Sequence, residues 1–350
     1  MPRIVGVDVA RGLAVLGMMT AHVGPDDDGP VPPGGWSQLA DGRPSALFVV
    51  LAGVSLALLS GGTRPVEGTG LRRARVRVLV RAGAVLVLGL ALQALATPVV
   101  VILPTYAVLF TFGCLALRLR PALLAAAALV VALLGPVLRL ALVDALGADV
   151  VRDDAFATLW VGEFYPVVVW LAYLFAGMAL GRADLTCARV QARTAGAGLV
   201  LLLAGHLGSH AALAAGWTSR VATAEPHSST TFEVVGNTGV ALLVVGLCLA
   251  LAPRLPRLVA PVAAVGALAL TAYTVHVVAI AVAGEQVVWQ PRVATWSAFL
   301  LVTTAACWLW HATLGRGPFE RALHGLSTGV ADVLVPQPVA PPAPAGRDVS

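Results

Sequence analysis

The stretch AGAVLVLGLALQALATPVVVILPTYAVLFTFGCLAL, residues 82–117, contains no Asp, Glu, Lys or Arg. A helix needs about 20 apolar residues to cross the hydrocarbon core of a bilayer. The stretch is therefore long enough for two spanning helices, and Thr97-Pro98 near its middle predicts the break between them. Comparable uncharged or apolar runs lie on both sides of it, at residues 4–24, 44–63, 121–138, 164–181, 194–219, 234–252, 258–284 and 293–315.

The composition of the whole chain excludes a soluble globular protein. Of 350 residues, 58% are hydrophobic and 12% are charged, about half the usual charged share of a soluble domain. The chain has no lysine, and its 23 arginines against 18 acidic residues give a net charge of +5. These arginines lie between apolar runs rather than on one soluble face, which excludes nucleic acid as a partner and indicates a lipid bilayer.

The spacing predicts an all-α, polytopic integral membrane bundle of about ten transmembrane helices. If the N-terminus is cytoplasmic, 16 arginines fall in inner segments and 4 in outer loops. Because positive charge is retained on the cytoplasmic side, this ratio predicts that both termini are cytoplasmic, in the plasma membrane. The predicted spans are 4–24, 44–62, 78–96, 98–117, 121–143, 164–182, 195–215, 234–252, 259–283 and 293–314.

Two domains are predicted, a transmembrane domain of residues 1–315 and a Pro/Ala-rich, disordered cytoplasmic tail of residues 316–350. The first apolar run is interrupted by Asp8 and Arg11 and lacks a convincing cleavage site, so it is predicted to be a retained helix rather than a signal peptide. In the predicted topology the four cysteines lie in cytoplasmic halves of helices or in a cytoplasmic loop, so no disulfide is predicted. They also show no metal-site spacing, and no metal is predicted.

Asp8, Arg11 and His22 are the ionisable groups of the first helix. At about 100° per residue they share one face, with His22 about 16 Å above Arg11 along the helix. Ionisable groups inside a membrane are costly and point to function, so this stripe is predicted to face the bundle interior. Each group also has a structural alternative, since Asp8 can neutralise Arg11, Arg11 can reach the inner headgroups and His22 can mark the helix end.

Other polar residues collect at the predicted outer side, where a chemical site is expected. For most of these residues, the positive-inside rule and ordinary polar loops are the favoured explanation. The set comprises Asp41, Arg43, Glu163, His210, His227, Glu233, Asn237, His276 and Glu285. On the inner side, the run from Arg72 to Arg77, followed by Arg81, can bind phosphate groups bidentately or can serve topology and anionic lipids.

The opening Val7-Asp8-Val9-Ala10-Arg11-Gly12-Leu13-Ala14 resembles the D-x-x-R-G-x-A opening of the transmembrane acyltransferase superfamily. That superfamily includes the heparan-α-glucosaminide N-acetyltransferase family and the bacterial O-acetyltransferases of surface polysaccharides. Trp36, followed by the pattern F-x-x-x-x-G-x-S at Phe48, Gly53 and Ser55, is similar to its second helix. The resemblance extends over residues 3–82 and, more loosely, over residues 226–325, where the segment 269–276 is similar to a helix of related bacterial membrane proteins.

The resemblance implies transfer of an acetyl group from cytosolic acetyl-CoA to a glycan or other small-molecule acceptor at the outer face. His22 matches the histidine of the polysaccharide O-acetyltransferases. Heparan-type enzymes place theirs just before the tryptophan, where this chain has Pro33-Gly34-Gly35. The implied catalytic residues are His22, Arg11, Asp8 and Asp41; the implied coenzyme A site is Arg75, Arg77 and Arg81; the implied acceptor site is Arg43, Trp36, His276 and Glu163.

Two other classes of protein fit the same polar stripe. A transporter or export helper for a small solute or a lipid-linked sugar would use it as a pathway, without dependence on coenzyme A. A membrane scaffold would tolerate loss of both Arg11 and His22. The acceptor, the acyl chain, N- versus O-acylation, the role of His22 as base or acyl carrier, and association into a homodimer are left open by the sequence.

Overall fold

The computed structural model describes residues 3–25 and 40–336, and these residues form helices and no strands. The all-α fold class is confirmed. The helices are α1 (Val5–Val23), α2 (Arg43–Leu59), α3 (Gly68–Gln93), α4 (Leu103–Leu115), α5 (Pro121–Leu146), α6 (Ala148–Asp153), α7 (Ala155–Val161), α8 (Val167–Leu180), α9 (Ala188–Ala214), α10 (Ser219–Ala222), α11 (Thr231–Leu251), α12 (Pro256–Ala267), α13 (Ala269–Ala283), α14 (Gln286–Trp289), α15 (Val293–Leu314) and α16 (Pro318–Leu334).

Several helices have the length and composition of membrane spans. Within the described ranges, α3, α5, α9, α11 and α15 qualify, and the bent pair α12–α13 makes up to six. The shorter apolar helices α2, α4 and α8 have 13 to 17 residues. A helix or helix pair lies in each of the ten predicted segments, but the count of ten complete spans stays a prediction.

The structure departs from the predicted boundaries at three places. Helix α3 begins at Gly68, ten residues before the predicted start, so the arginine run lies on a helix rather than in a loop. The predicted ninth span is bent by 72° between α12 and α13. The predicted disorder of residues 316–350 is wrong for Pro318–Leu334, which form α16. The remainder of that tail, residues 337–350, lies outside the described residues.

Helix α16 explains why a tail prediction failed at this point. Its sequence is polar enough to suggest a solvent-exposed segment. However, Ser327 and Ala331 on one face of the helix are completely buried, because the helix packs on α3 and α13. Arg73 on α3 donates hydrogen bonds to the Val335 carbonyl at 2.6 Å and to the Asp332 carboxylate. A one-sided helix of this kind gains its stability from the surface that it covers.

Helix α1 lies inside the bundle, in contact with α2, α11, α12, α13 and α15. Close backbone approach holds it there, since a Cβ added at Gly266 of α12 would lie 1.8 Å from the Asp8 carbonyl oxygen. At the interface of α2 and α8, a Cβ added at Gly177 would lie 1.9 Å from the Val50 carbonyl oxygen. Small residues at helix contacts are the usual means of packing inside a membrane, because lipid provides no hydrophobic force between helices.

The outer helices expose apolar side chains instead of charged ones. Leu301 on α15 is 69% exposed, and Leu134, Val200 and Val282 on three other helices are exposed to a similar or greater degree. A surface of this kind is stable in lipid and not in water. The fold therefore surrounds the buried polar face of α1 with a lipid-facing shell.

Candidate functional site

The lower part of α1 carries a network of charges. Arg11 Nη1 donates to Asp8 Oδ1 at 3.0 Å and to the Gly266 carbonyl at 3.3 Å, and Arg11 Nη2 donates to Ser55 Oγ at 3.1 Å. Arg3 Nε donates to the other carboxylate oxygen of Asp8 at 2.5 Å. Arg11 of the D-x-x-R opening in α1 thus contacts Ser55, the last residue of the F-x-x-x-x-G-x-S pattern in α2.

Two cavities lie beside this network, at the N-terminal end of α1. One has a volume of about 430 Å³ and the other about 390 Å³, and Arg3 and Asp8 line both. The first is further lined by Arg81, Ala267, Arg316, Glu320 and His324, and the second by Ile4, Val7, Arg11, Leu58, Leu59 and Arg77. Together these two neighbouring cavities, which share Arg3 and Asp8, are lined by five arginines, and we call the pair the arginine chamber.

The arginines of α3 divide between two faces. Arg77 and Arg81, four residues apart and so on one face, each line one cavity of the arginine chamber. Arg73 continues that face but is held by α16. Arg75 is exposed on another face and lines neither cavity, so the structure brings two of the three predicted phosphate ligands together.

Helix α16 forms one wall of the arginine chamber. The Glu320 carboxylate accepts hydrogen bonds from the backbone N–H groups of Leu270 and Thr271, at 2.7 and 3.0 Å, and from the Thr271 hydroxyl at 2.6 Å. These contacts satisfy the free N–H groups at the start of α13, where the bend from α12 would otherwise leave them unpaired. Burial lowers the pKa of His324. The positive charges of Arg316, Arg77 and Arg81 lower that pKa further, because they disfavour a second positive charge nearby.

His22 lies at the opposite end of α1, against His276 of α13. His22 Nδ1 and His276 Nε2 are 3.0 Å apart, and the two rings are stacked with centroids 5.2 Å apart. His276 is 2% exposed. The sequence placed both residues at the outer side, and the structure brings them into direct contact, which a spacing of 254 residues could not reveal.

Two tyrosines lie between the histidine pair and the arginine chamber. The Tyr273 ring meets the His276 ring edge-on at 5.1 Å. Tyr106 of α4 is close enough to both Tyr273 and Arg11 to interact with them electrostatically. Its buried hydroxyl has no hydrogen-bond partner in the described ranges. The two tyrosines therefore place phenol groups within electrostatic range of both Arg11 and the histidine pair.

A third histidine approaches this pair from the loop before α11. The carboxylate of Glu233 accepts hydrogen bonds from His227 N at 2.8 Å and from Ser229 N at 2.6 Å, and it also binds the Ser228 hydroxyl and the Asn237 amide. His227 and Ser229 have φ angles of 62° and 55°, a conformation that costs energy for residues other than glycine. Glu233 therefore holds a strained turn.

This turn places His227 near His22, on which it acts electrostatically. The His227 ring packs against the rings of Phe164 and Tyr165, with centroid distances of 5.0 Å and 6.0 Å. Burial lowers the pKa of His227, so the imidazole stays neutral at neutral pH. Three imidazoles, His22, His276 and His227, thus share one region, which we call the histidine cluster.

The other predicted site residues lie around the histidine cluster. Arg43 interacts electrostatically with Asp41 and Glu233, and a Cβ added at the intervening Gly42 would lie 3.8 Å from the His227 ring. Glu163 is exposed at the rim and interacts with His227. The predicted contribution of Trp36 falls outside the described residues.

Sequence reasoning did not include Tyr106, Tyr273, Arg3, Arg316 or His324 among the site residues. Tyrosines in apolar helices are more often core residues than functional ones, so the first two gave no signal. Arg3 lies just before the first predicted span, and Arg316 and His324 lie in the segment predicted to be a disordered tail. In the part of the chain that the structure describes, no group of three or more His, Cys, Asp or Glu residues could hold a metal ion.

Comparison with known proteins connects this geometry to one family. The family model described as "Heparan-alpha-glucosaminide N-acetyltransferase, catalytic" matches residues 3–214, more than half of the chain. The match includes α1, α2 and the arginine face of α3, whereas His276 and α16 lie beyond it. Neither the curated proteins nor the solved structures contain a match to this chain.

Proposed function

The chain belongs to the family of the heparan-α-glucosaminide N-acetyltransferase catalytic domain and is a multi-pass membrane acyltransferase; from this premise we propose its reaction. An acetyl group moves from acetyl-CoA, held at the arginine chamber, to a glycan or other acceptor at the histidine cluster. The topology is that of ten transmembrane helices with both termini cytoplasmic, in the plasma membrane. The donor is then cytosolic and the acceptor lies outside.

The arginine chamber supplies the residues that hold the donor. Arg77, Arg81 and Arg316 are the guanidinium groups that would bind the phosphates of coenzyme A, since Arg forks match phosphate oxygens bidentately. The Asp8 carboxylate, bound between Arg3 and Arg11, keeps those two side chains in place. His324 adds hydrogen-bonding capacity at the same wall without adding a charge at neutral pH.

The histidine cluster supplies acid–base chemistry. Acetyl transfer breaks the carbon–sulfur bond of the thioester and forms a carbon–oxygen or carbon–nitrogen bond to the acceptor; the acceptor proton ends on the departing sulfur. His22 accepts that proton as a general base. The contact with His276 orients the His22 ring, and when His22 Nδ1 donates to His276 Nε2, His22 Nε2 is left to accept the proton. The free Tyr106 hydroxyl is a donor available to the thioester carbonyl oxygen.

One observation carries the proposal: α1 has His22, paired with His276 of α13, at one end and the arginine chamber at the other. Eleven residues separate His22 from Arg11, which corresponds to about 16 Å along a helix. That separation is comparable with the length of the flexible pantetheine arm that links the phosphates of coenzyme A to its thioester. A single donor molecule could therefore contact both ends of α1 at once.

The experiment uses purified protein in lipid nanodiscs with radiolabelled acetyl-CoA and a glucosaminide acceptor. We expect His22→Ala to lower acetyl transfer by about 10²- to 10⁴-fold, the usual contribution of a positioned acid–base group. His206→Ala, which replaces a half-buried histidine on α9, is the matched control and should retain activity. Full activity of the His22→Ala protein, or solute flux that does not depend on coenzyme A, would contradict the proposal.

A further inference from the structure

A third cavity, of about 840 Å³, lies apart from the arginine chamber. It is enclosed by the C-terminal ends of α3 and α5, by the short helices α6 and α7, and by residues 100–105 and 162–165. In the proposed topology, these elements lie at the outer membrane surface. We call it the outer cavity.

One wall of the outer cavity is apolar and open to lipid. Leu86 and Leu90 stand one turn apart on α3, and they are 37% and 53% exposed on the same surface that faces the bilayer. Val100 and Val143 extend this wall. A hydrocarbon chain lying here would contact protein on one side and membrane lipid on the other.

Another part of the cavity wall is polar and balanced in charge. It contains two arginines, Arg139 and Arg152, and two carboxylates, Asp153 and Glu163. Arg139 Nε donates to the carbonyls of Val161 and Gly162, at 3.1 and 3.0 Å, which fixes its guanidinium at the cavity wall. A site for a free phosphate would carry an excess of positive charge, whereas this balance suits the hydroxyl and amine groups of a sugar.

Aromatic rings complete the polar wall. Phe156, Phe164 and Tyr165 all line the cavity. Their rings have apolar faces, and Tyr165 also carries a hydroxyl group that can form a hydrogen bond. Tyr165 and Phe164 also pack against His227. The polar end of the outer cavity therefore adjoins the histidine cluster, where an acceptor must be presented.

We propose that the outer cavity binds a membrane-anchored glycolipid as the acetyl acceptor, with its sugar at the polar wall and its hydrocarbon chain along Leu86 and Leu90. This inference rests on the proposed acetyltransferase function and names its acceptor class. In the reaction, a sugar hydroxyl or amine gains the acetyl group and loses one proton, and that proton leaves with the thiol of coenzyme A. The cavity binds the acceptor, and His22 activates it.

The activity test compares two acceptors with one sugar. Dodecyl β-D-glucosaminide, supplied as a minor component of nanodisc lipid, is compared with methyl β-D-glucosaminide in solution. We expect the dodecyl compound to be preferred at least tenfold in kcat/KM. We expect Leu90→Trp, which fills the apolar wall, to remove that preference, whereas Leu129→Trp, at an equally exposed position on α5, should preserve it. Equal use of the two acceptors would overturn the inference and leave the proposed function intact.

A second measurement does not depend on catalysis. A dodecyl glucosaminide with a photoreactive diazirine in its chain is cross-linked to the His22→Ala protein, and the labelled residues are mapped by mass spectrometry. We expect labelling at the Leu86, Leu90 and Val143 positions, reduced severalfold by Leu90→Trp and unchanged by Leu129→Trp. Labels spread over all lipid-facing helices would overturn the glycolipid site even if acetyl transfer is observed. If neither acceptor is acetylated, this map still decides the inference.

Discussion

The two ends of α1 lie in chemically different surroundings. At one end, Arg3, Arg11, Arg77, Arg81 and Arg316 bring fixed charges into a chamber with two carboxylates. At the other end, the groups are imidazoles and phenols, with a carboxylate that is committed to holding the loop before α11. One region therefore offers binding of anions, and the other offers proton transfer.

In the proposed topology, this difference indicates how one helix can serve two sides of a membrane. Charged groups pair or contact backbone carbonyls because an isolated charge in the membrane is costly. Neutral imidazoles avoid that cost and still exchange protons. The comparison predicts that substitutions in the histidine cluster change the rate of chemistry, and that substitutions in the arginine chamber change the affinity for the donor.

After His22→Ala, the largest effect is expected from His276→Ala. It removes the ring stacked on His22, so kcat should fall about 10²- to 10³-fold, while the KM for acetyl-CoA stays within about twofold. Steady-state kinetics in nanodiscs measure both quantities. Because the two histidines act as one unit, the His22→Ala/His276→Ala protein should be little worse than His22→Ala alone. Multiplicative losses would show that the two rings act independently.

The next effect concerns the arginine chamber. Arg81→Gln removes one guanidinium from the cavity wall and should raise the KM for acetyl-CoA about tenfold, the consequence of losing roughly 1.4 kcal/mol of binding, with little change in kcat. Arg75→Gln is the matched control, since Arg75 lies on another face of the same helix. Equal effects of the two substitutions would indicate that the arginines act only through general charge.

A smaller effect, on stability, is expected at the contact between α1 and α12. A Cβ at Gly266 would lie 1.8 Å from the Asp8 carbonyl oxygen, so Gly266→Ala should force α12 away from α1 and cost about 1–3 kcal/mol of stability. At Gly83 of α3, an added Cβ meets nothing within 4 Å, and Gly83→Ala should be neutral. Thermal unfolding in detergent measures both. An unchanged Tm for Gly266→Ala would contradict the close contact.

The smallest effect is a change in pH dependence. Burial lowers the pKa of His227 below its usual value of 6.5, so the unfolded chain takes up this proton at a higher pH than the folded chain. The stability that neutral His227 contributes is present above pH 6.5 and is lost as the pH falls through the lower folded pKa. When the pH is lowered from about 7.5 to about 5.5, the Tm of the His227→Gln protein should therefore fall less than the Tm of the native protein. Parallel losses would exclude this role for His227.

The sequence predicted the helices better than their contacts. Absence of charge over residues 82–117 was enough to predict two helices, because lipid requires apolar surface and internally satisfied backbone groups. Helical periodicity likewise predicted that Asp8, Arg11 and His22 share one face. These are local properties, and a single sequence contains them.

Contacts between distant segments were not predictable in the same way. The His22–His276 contact depends on the bend between α12 and α13, and Leu268 at that bend gives no strong local signal. Arg75 and Arg77 look equivalent in sequence, yet only Arg77 faces the chamber, because the phase of α3 is set by its packing on α4 and α16. Helix α16 was missed because its apolar face is narrow and adjoins a Pro/Ala-rich run.

The position of α16 has a consequence for biosynthesis. It follows α15, the last candidate span among the described residues, yet Glu320 and His324 of α16, with Arg316 just before it, line one cavity of the arginine chamber. A nascent chain that has inserted all its earlier helices therefore still has an open, incomplete chamber. Release of α16 from the ribosome is then the step that completes it, so a chain arrested or cleaved before α16 would reach the membrane with an incomplete arginine chamber.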